Sequence, residues 1–499
     1  MLEAGGKDSN PWIKIPLGYA KLYANPKVNW CYESEPEINL NNRCLFQPRG
    51  KVLGGSGAIN GMIYVRGQAA DFDGWEAQGC EGWGFNSVMP YFLKCEDQER
   101  GVSQYHAVGG PVSVADLPSK EILGEAFHEA SKKLGSPYNN DFNGESQVGA
   151  GYVQVTTKNA RRWSTADGYL KGKIATNITV VTHVMVNSLV LERGQITGVN
   201  YSDKSGTYTA RATKEVIISA GTFNSPKLLE LSGIGNREVL ESKDIAVQHE
   251  LRGVGENLQD HFGIGAQYRA SKPVTVNDLS NNVIKGGLAL MRYLLFKTGP
   301  FANNGNYSNT FINSSQDVDR PDMMITFMGW CTGENLRPRP FSGFTILAEH
   351  IRPDCRGTVH VRSDDPREQP IIKFNFLESD ADKKAAIEGL KHARKIAQTA
   401  PMSGFVAEEL KPGSDKVTDE QLLEHCRSEG LSLLHCVGTC KMGVDELSVV
   451  DSRLKVHGLK GVRVIDASIM PTIVSGNTNA AAIMIGEKGA QMVIDDWCN

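Results

Sequence analysis

Apolar and polar positions divide the 499-residue chain into two kinds of segment. Residues 215–219 (Glu-Val-Ile-Ile-Ser) and 462–466 (Val-Arg-Val-Ile-Asp) are short β-branched runs, the pattern of buried strands. Each leads through a loop to a helical stretch. After the first, Ser225-Pro226 opens Lys227–Leu231, which ends at Ser232-Gly233, with Pro near the start and Gly near the end. After the second come Asn477-Thr478-Asn479 and an apolar helix over Ala480–Trp497, for which Asn or Thr is a natural N-cap. Such units in mid-chain and at the C-terminus predict one α/β domain assembled from separated segments. Residues 261–375 differ. Alternating runs at 262–269, 323–329, 343–351, 357–362 and 370–375 predict an antiparallel sheet with helices before and after it. Between them, 272–320 is rich in Asn, Gly and Ser and reads either as a lid or as an irregular surface excursion.

Composition narrows the class. Hydrophobic residues are 40% and charged residues 22%, so the chain folds, and its length favours two domains over one. Lys and Arg number 53 against 57 Asp and Glu, leaving no basic excess for nucleic acid. No run of eighteen apolar residues is present, so no membrane-spanning helix is expected. The 10 Cys, from Cys31 to Cys498, are too scattered for a disulfide scaffold and point to a reducing compartment. Near the start, Glu3 is followed by Ala4-Gly5-Gly6, as where a dinucleotide fold holds ribose hydroxyls. No G-x-G-x-x-G turn precedes it, and Gly54-Gly55-Ser56-Gly57 lacks an apolar strand ahead of it. On its own Glu3 also reads as a solvated residue at a frayed end.

Four ordered segments carry the chemistry. They are Gly50–Gly67, with Gly54-Gly55-Ser56-Gly57-Ala58-Ile59-Asn60-Gly61-Met62 at its centre; Gly221–Pro226 running to Gly235; Gly255–His261; and His435–Gly443 together with Asp466-Ala467-Ser468 and Ser475–Asn479. The chain thereby resembles, over essentially its whole length, the glucose–methanol–choline (GMC) family of FAD-dependent oxidoreductases. The likeness is greatest to bacterial sorbose, alkanol and polyethylene glycol dehydrogenases.

That resemblance implies an α/β fold with a Rossmann-like FAD-binding domain (1–65, 160–260 and 440–499) and an α+β substrate domain (66–159 and 261–439). It implies FAD as cofactor and oxidation of a primary alcohol or polyol, with electrons passing to a quinone-like acceptor. His435 becomes the base for the hydroxyl proton, a task suited to imidazole near neutral pH. Asn477 becomes its partner, donating to the developing alkoxide. Expected FAD contacts are Glu3, Val52, Asn60, Gly61, Met62, Ile63, Val186, Asp466, Ala467, Asn479 and Ala480. Read singly, His435 is a structural histidine and Asn477 a helix cap. His261 beside Asp260 looks like an acid–base pair, but the resemblance makes that segment structural or flavin-adjacent. His435, Cys436 and Cys440 supply three potential metal ligands, too few, and no metal is expected. Residues 299–307 carry no acid to hold a cationic substrate, so neutral alcohols are expected, with Asn304, Tyr307, Phe327 and Trp330 as pocket candidates. The expected location is cytoplasmic, with peripheral attachment at the inner membrane open. Competing readings are an oxidase using O₂ and, because the glycine fingerprint is missing, a truncated remnant that does not retain FAD. A lyase or light-driven decarboxylase is disfavoured by the retained His435.

Overall fold

The computed structural model describes residues 1–171, 177–333 and 337–497. Two large cores organise it, one beneath a broad antiparallel sheet and one around the C-terminal helix.

The β-branched run at Val216–Ile218 pairs in parallel with Val462–Val464, joining segments some 245 residues apart in sequence. Leu2–Glu3 pairs in parallel with Val181–Thr182, and the chain continues into a three-stranded meander at Met185–Glu192, Gln195–Ser202 and Thr207–Arg211. The helix after Val216–Ile218 spans Gly221–Leu231, so it starts five residues before Pro226. Pro226 lacks the N–H that would reach the Thr222 carbonyl one turn back. Thr439 supplies the missing donor, its hydroxyl bonding that carbonyl at 2.6 Å. The last helix, Asn479–Trp497, buries Ala480, Ala481, Met484 and Ile485.

Helices Ala69–Ala77 and Phe85–Cys95 contribute Phe72, Trp75 and Phe92 to the core that also holds Val464 and Met484. The stretch 66–159, expected wholly on the substrate side, is therefore shared between the two cores.

The antiparallel sheet has seven strands. Val406–Lys411, Phe262–Ala270, Gly343–His350, Met323–Met328, Asn306–Ile312 and Gly149–Tyr152 follow one another, and Leu431–Ser432 pairs with the start of Phe262–Ala270. Three of the five alternating runs join this sheet. The runs at 357–362 and 370–375 instead pair with each other, as Thr358–His360 against Ile371–Lys373. One face carries Phe262, Ile264, Ile325, Phe327, Phe344 and Ile346 into the core beneath helix Asp380–Gln398. Gly389 lets that helix approach: a Cβ there would lie 2.9 Å from Ala348 Cβ and Met323 Sδ. Within 272–320 lie a helix, Val283–Phe296, anchored through buried Tyr293, and the sheet strand Asn306–Ile312.

Candidate active site

The other face of the sheet, bearing Gly263, Thr326 and Glu349, lies beside the turn that presents His435. A Cβ on Gly263 would touch Leu433 Cδ2 at 2.6 Å, so glycine makes room for this turn. Asp260, buried, holds the turn from below. One of its carboxylate oxygens accepts the His435 backbone N–H at 2.7 Å, and the other accepts the Ser432 hydroxyl. Leu434, at φ 68°, takes the left-handed conformation that swings the chain outward, and its N–H reaches Ser432 Oγ at 3.2 Å.

His435 has partners on both ring nitrogens. Its Nε2 lies 2.8 Å from Asn477 Nδ2, and its Nδ1 lies 3.0 Å from His261 Nδ1. An amide nitrogen only donates, so this network assigns an unprotonated Nε2 to His435. The ring proton then sits on Nδ1 and is donated to His261 Nδ1. Burial, reinforced by the nearby Arg49 cation, pushes the His435 pKa down to about 3. Burial likewise holds His261 well below the ordinary histidine range. The arrangement is a neutral imidazole with its lone pair held toward Asn477.

Asn477 is fixed from a distance. Asp71 accepts the Ser475 N–H at 2.7 Å and the Ser475 hydroxyl at 2.8 Å, and Gln147 donates to the Ser475 carbonyl at 2.8 Å. Asn477 Oδ1 is buried without a protein partner. Two residues on, Asn479 starts the C-terminal helix, whose first N–H groups are free by geometry.

The glycine-rich segment approaches the same helix end. A Cβ on Gly57 would stand 3.4 Å from Asn479 Oδ1, whereas one on Gly55 would meet open space. Arg162, buried, braces the segment by donating to Asn60 Oδ1 at 2.7 Å, Asn60 O at 2.5 Å, Gly57 O at 3.2 Å and Ile13 O at 2.9 Å. Asn60 Oδ1 also accepts the Met62 N–H at 3.0 Å, steadying Met62 at φ 66°. Val52 and Met62 are buried and Ile63 half-buried. Gly61 is tied by its carbonyl to Asn304 Nδ2 at 2.7 Å. Glu3 ends its strand with Oε1 accepting the Gly5 N–H at 2.7 Å, and Val184 N–H bonds the Glu3 carbonyl, bringing Val186 close. An open glycine face, a free helix N-terminus, an unpartnered amide oxygen and a strand-end carboxylate fit a flavin dinucleotide.

Other expected residues fall elsewhere. Asp466 is spent on the protein: it accepts from Gly221 N (2.8 Å), Ser225 Oγ (2.5 Å) and Ser468 N (2.8 Å), and so positions Ala467 indirectly. Asn304 is buried and consumed in the Gly61 tie. Phe327 points to the helix-facing core, against Phe127 at 5.7 Å and Phe344 at 5.8 Å between ring centroids, so it is not brought to His435. Tyr307 packs in the same core. Trp330 is half-buried beside Gly305, with its indole N–H unpartnered. Of the cysteines near the site, Cys436 accepts from Arg49 Nη2 at 2.6 Å. Among the described residues no cluster of three or more His, Cys, Asp or Glu could hold a metal ion, and Cys498 lies outside those residues.

Sequence reasoning missed Arg49, Arg162, Asp71 and the contact of His261 with His435. Only a buried arginine with carbonyl partners, visible in three dimensions, marks Arg162; nothing in its local sequence does.

The family profiles for the GMC oxidoreductase N- and C-terminal regions match residues 19–263 and 353–486. The chain is 37% identical over 499 residues to an alcohol dehydrogenase [acceptor] of Pseudomonas putida, covering 99% of this chain and 90% of that protein. It is 39% identical over 504 residues to an oxygen-dependent choline dehydrogenase of Escherichia coli, with the same coverage. Among solved structures it resembles pyridoxine 4-oxidase from Mesorbium loti (TM-score 0.89, 27% identity, 98% of this chain and 93% of that one). It also resembles a formate oxidase from Aspergillus oryzae (TM-score 0.93, 25% identity, 100% and 93%). The chain belongs to the GMC oxidoreductase family of FAD flavoenzymes.

Proposed function

We propose that this protein oxidises a neutral primary alcohol or polyol to its carbonyl product and passes the electrons to a quinone-like acceptor. The observation that carries the reading is the convergence of His435 Nε2 and Asn477 Nδ2, 2.8 Å apart, with the other His435 nitrogen engaged by His261. An incoming hydroxyl takes the place of the Asn477 N–H at the His435 Nε2 lone pair, which leaves that N–H free to donate to the substrate oxygen. His435 Nε2 takes the hydroxyl proton, and Asn477 Nδ2 donates to the alkoxide as charge develops. FAD supplies the acceptor for the hydride leaving the carbinol carbon. The alcohol thus loses one proton to His435 and one hydride to the cofactor, and leaves as aldehyde or ketone.

Glu3 would hold the adenosine ribose, with Val186 against the adenine. Val52, Asn60, Gly61, Met62 and Ile63 would line the flavin and pyrophosphate. Ala467 would flank the pyrophosphate and ribityl chain, and Asn479 and Ala480 would meet the flavin ring at the start of the last helix. The helix that starts at Asn479 favours negative charge at its N-terminus. A neutral substrate is supported by two features. No Asp or Glu occurs between 281 and 316. Glu349, on the site face of the sheet and bonded by Thr326 Oγ1, has its pKa pushed up to about 8 by burial, so it offers no charge near pH 7.

The test is anaerobic mixing of the FAD-loaded protein with linear primary alcohols and polyols, followed by a water-soluble quinone or by air. Flavin bleaching by a neutral alcohol and reoxidation faster with quinone than with air is the expected result. Absence of bleaching by every alcohol would overturn the reading, and fast reoxidation in air with peroxide matching product would replace it with the oxidase.

A further inference from the structure

The helix Val283–Phe296 is apolar on both sides. Toward the protein, Tyr293 is buried and its hydroxyl donates to the Ala160 carbonyl at 3.1 Å, with Leu290 packed beside Ile15 and Trp12. Toward solvent, Ile284, Leu288, Met291 and Leu295 follow one another at intervals of one helical turn, exposed by 75, 61, 57 and 68%. Val283 and Leu294 widen the stripe. This is a contiguous aliphatic face rather than scattered surface residues, and such faces mark interaction sites. Its length, 14 residues or about 21 Å of helix, is too short to cross a bilayer.

The charge beside the stripe selects the partner. Lys285 and Arg292, seven residues apart, flank it on one side and are exposed, and Lys297 follows at the C-terminal end. The chain carries net charge −4, yet 281–316 holds no carboxylate. A second copy of this face would bring like charges together with no acid in the segment to pair them. An anionic lipid surface offers both an acyl layer for the stripe and phosphates for the cations.

We propose that Val283–Phe296 lies flat on an anionic phospholipid bilayer, with its aliphatic stripe among the acyl chains and Lys285 and Arg292 on lipid phosphates. The helix runs directly into the Pro300–Ala302 turn and Asn304, which is bonded to Gly61 in the glycine-rich segment. The bilayer is thereby set next to the site. Docking does not depend on the proposed reaction; its use, delivery of electrons to a lipid-dissolved quinone, rests on that reading.

The test is co-sedimentation of the FAD-loaded full chain with vesicles of pure phosphatidylcholine and of phosphatidylcholine with about one third phosphatidylglycerol, at low and high salt. The wild type should pellet with the anionic vesicles, more weakly in high salt. The double variant Leu288→Glu/Leu295→Glu should lose about tenfold or more of that binding while keeping its flavin spectrum and its turnover with a soluble dye. Lys285→Glu/Arg292→Glu, which leaves the stripe intact, should abolish only the preference for anionic lipid. Wild type remaining in the supernatant with both vesicles would overturn the proposal. A wild-type dimer that ignores vesicles and is dissolved by Leu288→Glu/Leu295→Glu would assign the face to a second copy instead.

Discussion

Replacing His261 tests whether the site depends on the orientation of its base. His261 Nδ1 is the acceptor for the proton on His435 Nδ1, 3.0 Å away, and it is fully buried. His261→Ala leaves that N–H without a partner in a buried position, a penalty of about 1–3 kcal/mol. The ring can avoid the penalty by moving its proton to Nε2 or by turning, and either change removes the lone pair from the side facing Asn477. If the whole penalty is borne by the competent state, kcat falls about 5- to 150-fold. KM should change little, because His261 touches His435 and not the substrate. His261→Gln, whose amide oxygen can accept the same proton, should recover most of the rate. Steady-state kinetics of the three proteins with one alcohol and a dye acceptor, with flavin content measured in parallel, decide the matter. A merely structural role for His261 would lower flavin content and melting temperature equally in both variants without separating them in kcat. His261→Ala within twofold of wild-type kcat, at normal flavin content, would show that His261 does not hold the base in its working orientation.

Three other outcomes follow from the same geometry. Asn477→Ala removes the donor 2.8 Å from His435 Nε2 and should cut kcat about 10²- to 10³-fold at unchanged flavin content; a loss below about fivefold contradicts its role. Arg162→Met leaves the carbonyls of Ile13, Gly57 and Asn60 without their shared donor, so flavin should dissociate on gel filtration and the melting temperature should drop; a flavin-replete variant of normal stability contradicts the bracing. His392, outside the site, is pushed down to about 4 by burial and the neighbouring Lys395. In the unfolded chain it titrates near 6.5, so its contribution to stability is complete above pH 6.5 and is lost as the pH falls toward 4. Between pH 7 and pH 5, His392→Met should therefore lose about 2 kcal/mol less stability than wild type in denaturant titrations; parallel pH dependence in the two would contradict the assignment.

The sequence made the α/β framework legible where local physics was sufficient. Val216–Ile218 is β-branched and Val462–Val464 is buried, and the short apolar runs marked both as strands, which pair in parallel. The family resemblance added residues that pattern cannot reach, and His435 and Asn477, 42 positions apart, do meet. What stayed hidden depends on long-range satisfaction of polar groups. Pro226 predicted a helix start because it cannot donate; it sits inside the helix because Thr439 donates in its place. His261 meets His435 across 174 residues through the sheet-edge pairing of Leu431–Ser432, which no local signal announces. Phe327 packs on Phe127 and Phe344 in the helix-facing core, because alternation fixes which residues share a face but not which face meets the site. The helix at Val283–Phe296 was obscured by the Asn, Gly and Ser around it, and its outward apolar stripe breaks the usual rule that such a stripe seeks the core.

Proton transfer from the hydroxyl to His435 is measured by single-turnover reduction of the bound flavin in His435→Ala and wild type, mixed anaerobically with the same alcohol across pH 5 to 9 in a stopped-flow instrument. The predicted result is bleaching slowed by about 10²- to 10⁴-fold in the variant at pH 7, partly restored as rising pH supplies alkoxide from solution. Because burial and Arg49 hold His435 far below the ordinary range, the wild-type rate should stay level from pH 8 down to 5. Bleaching of His435→Ala at nearly the wild-type rate, with a full complement of flavin, would contradict the account.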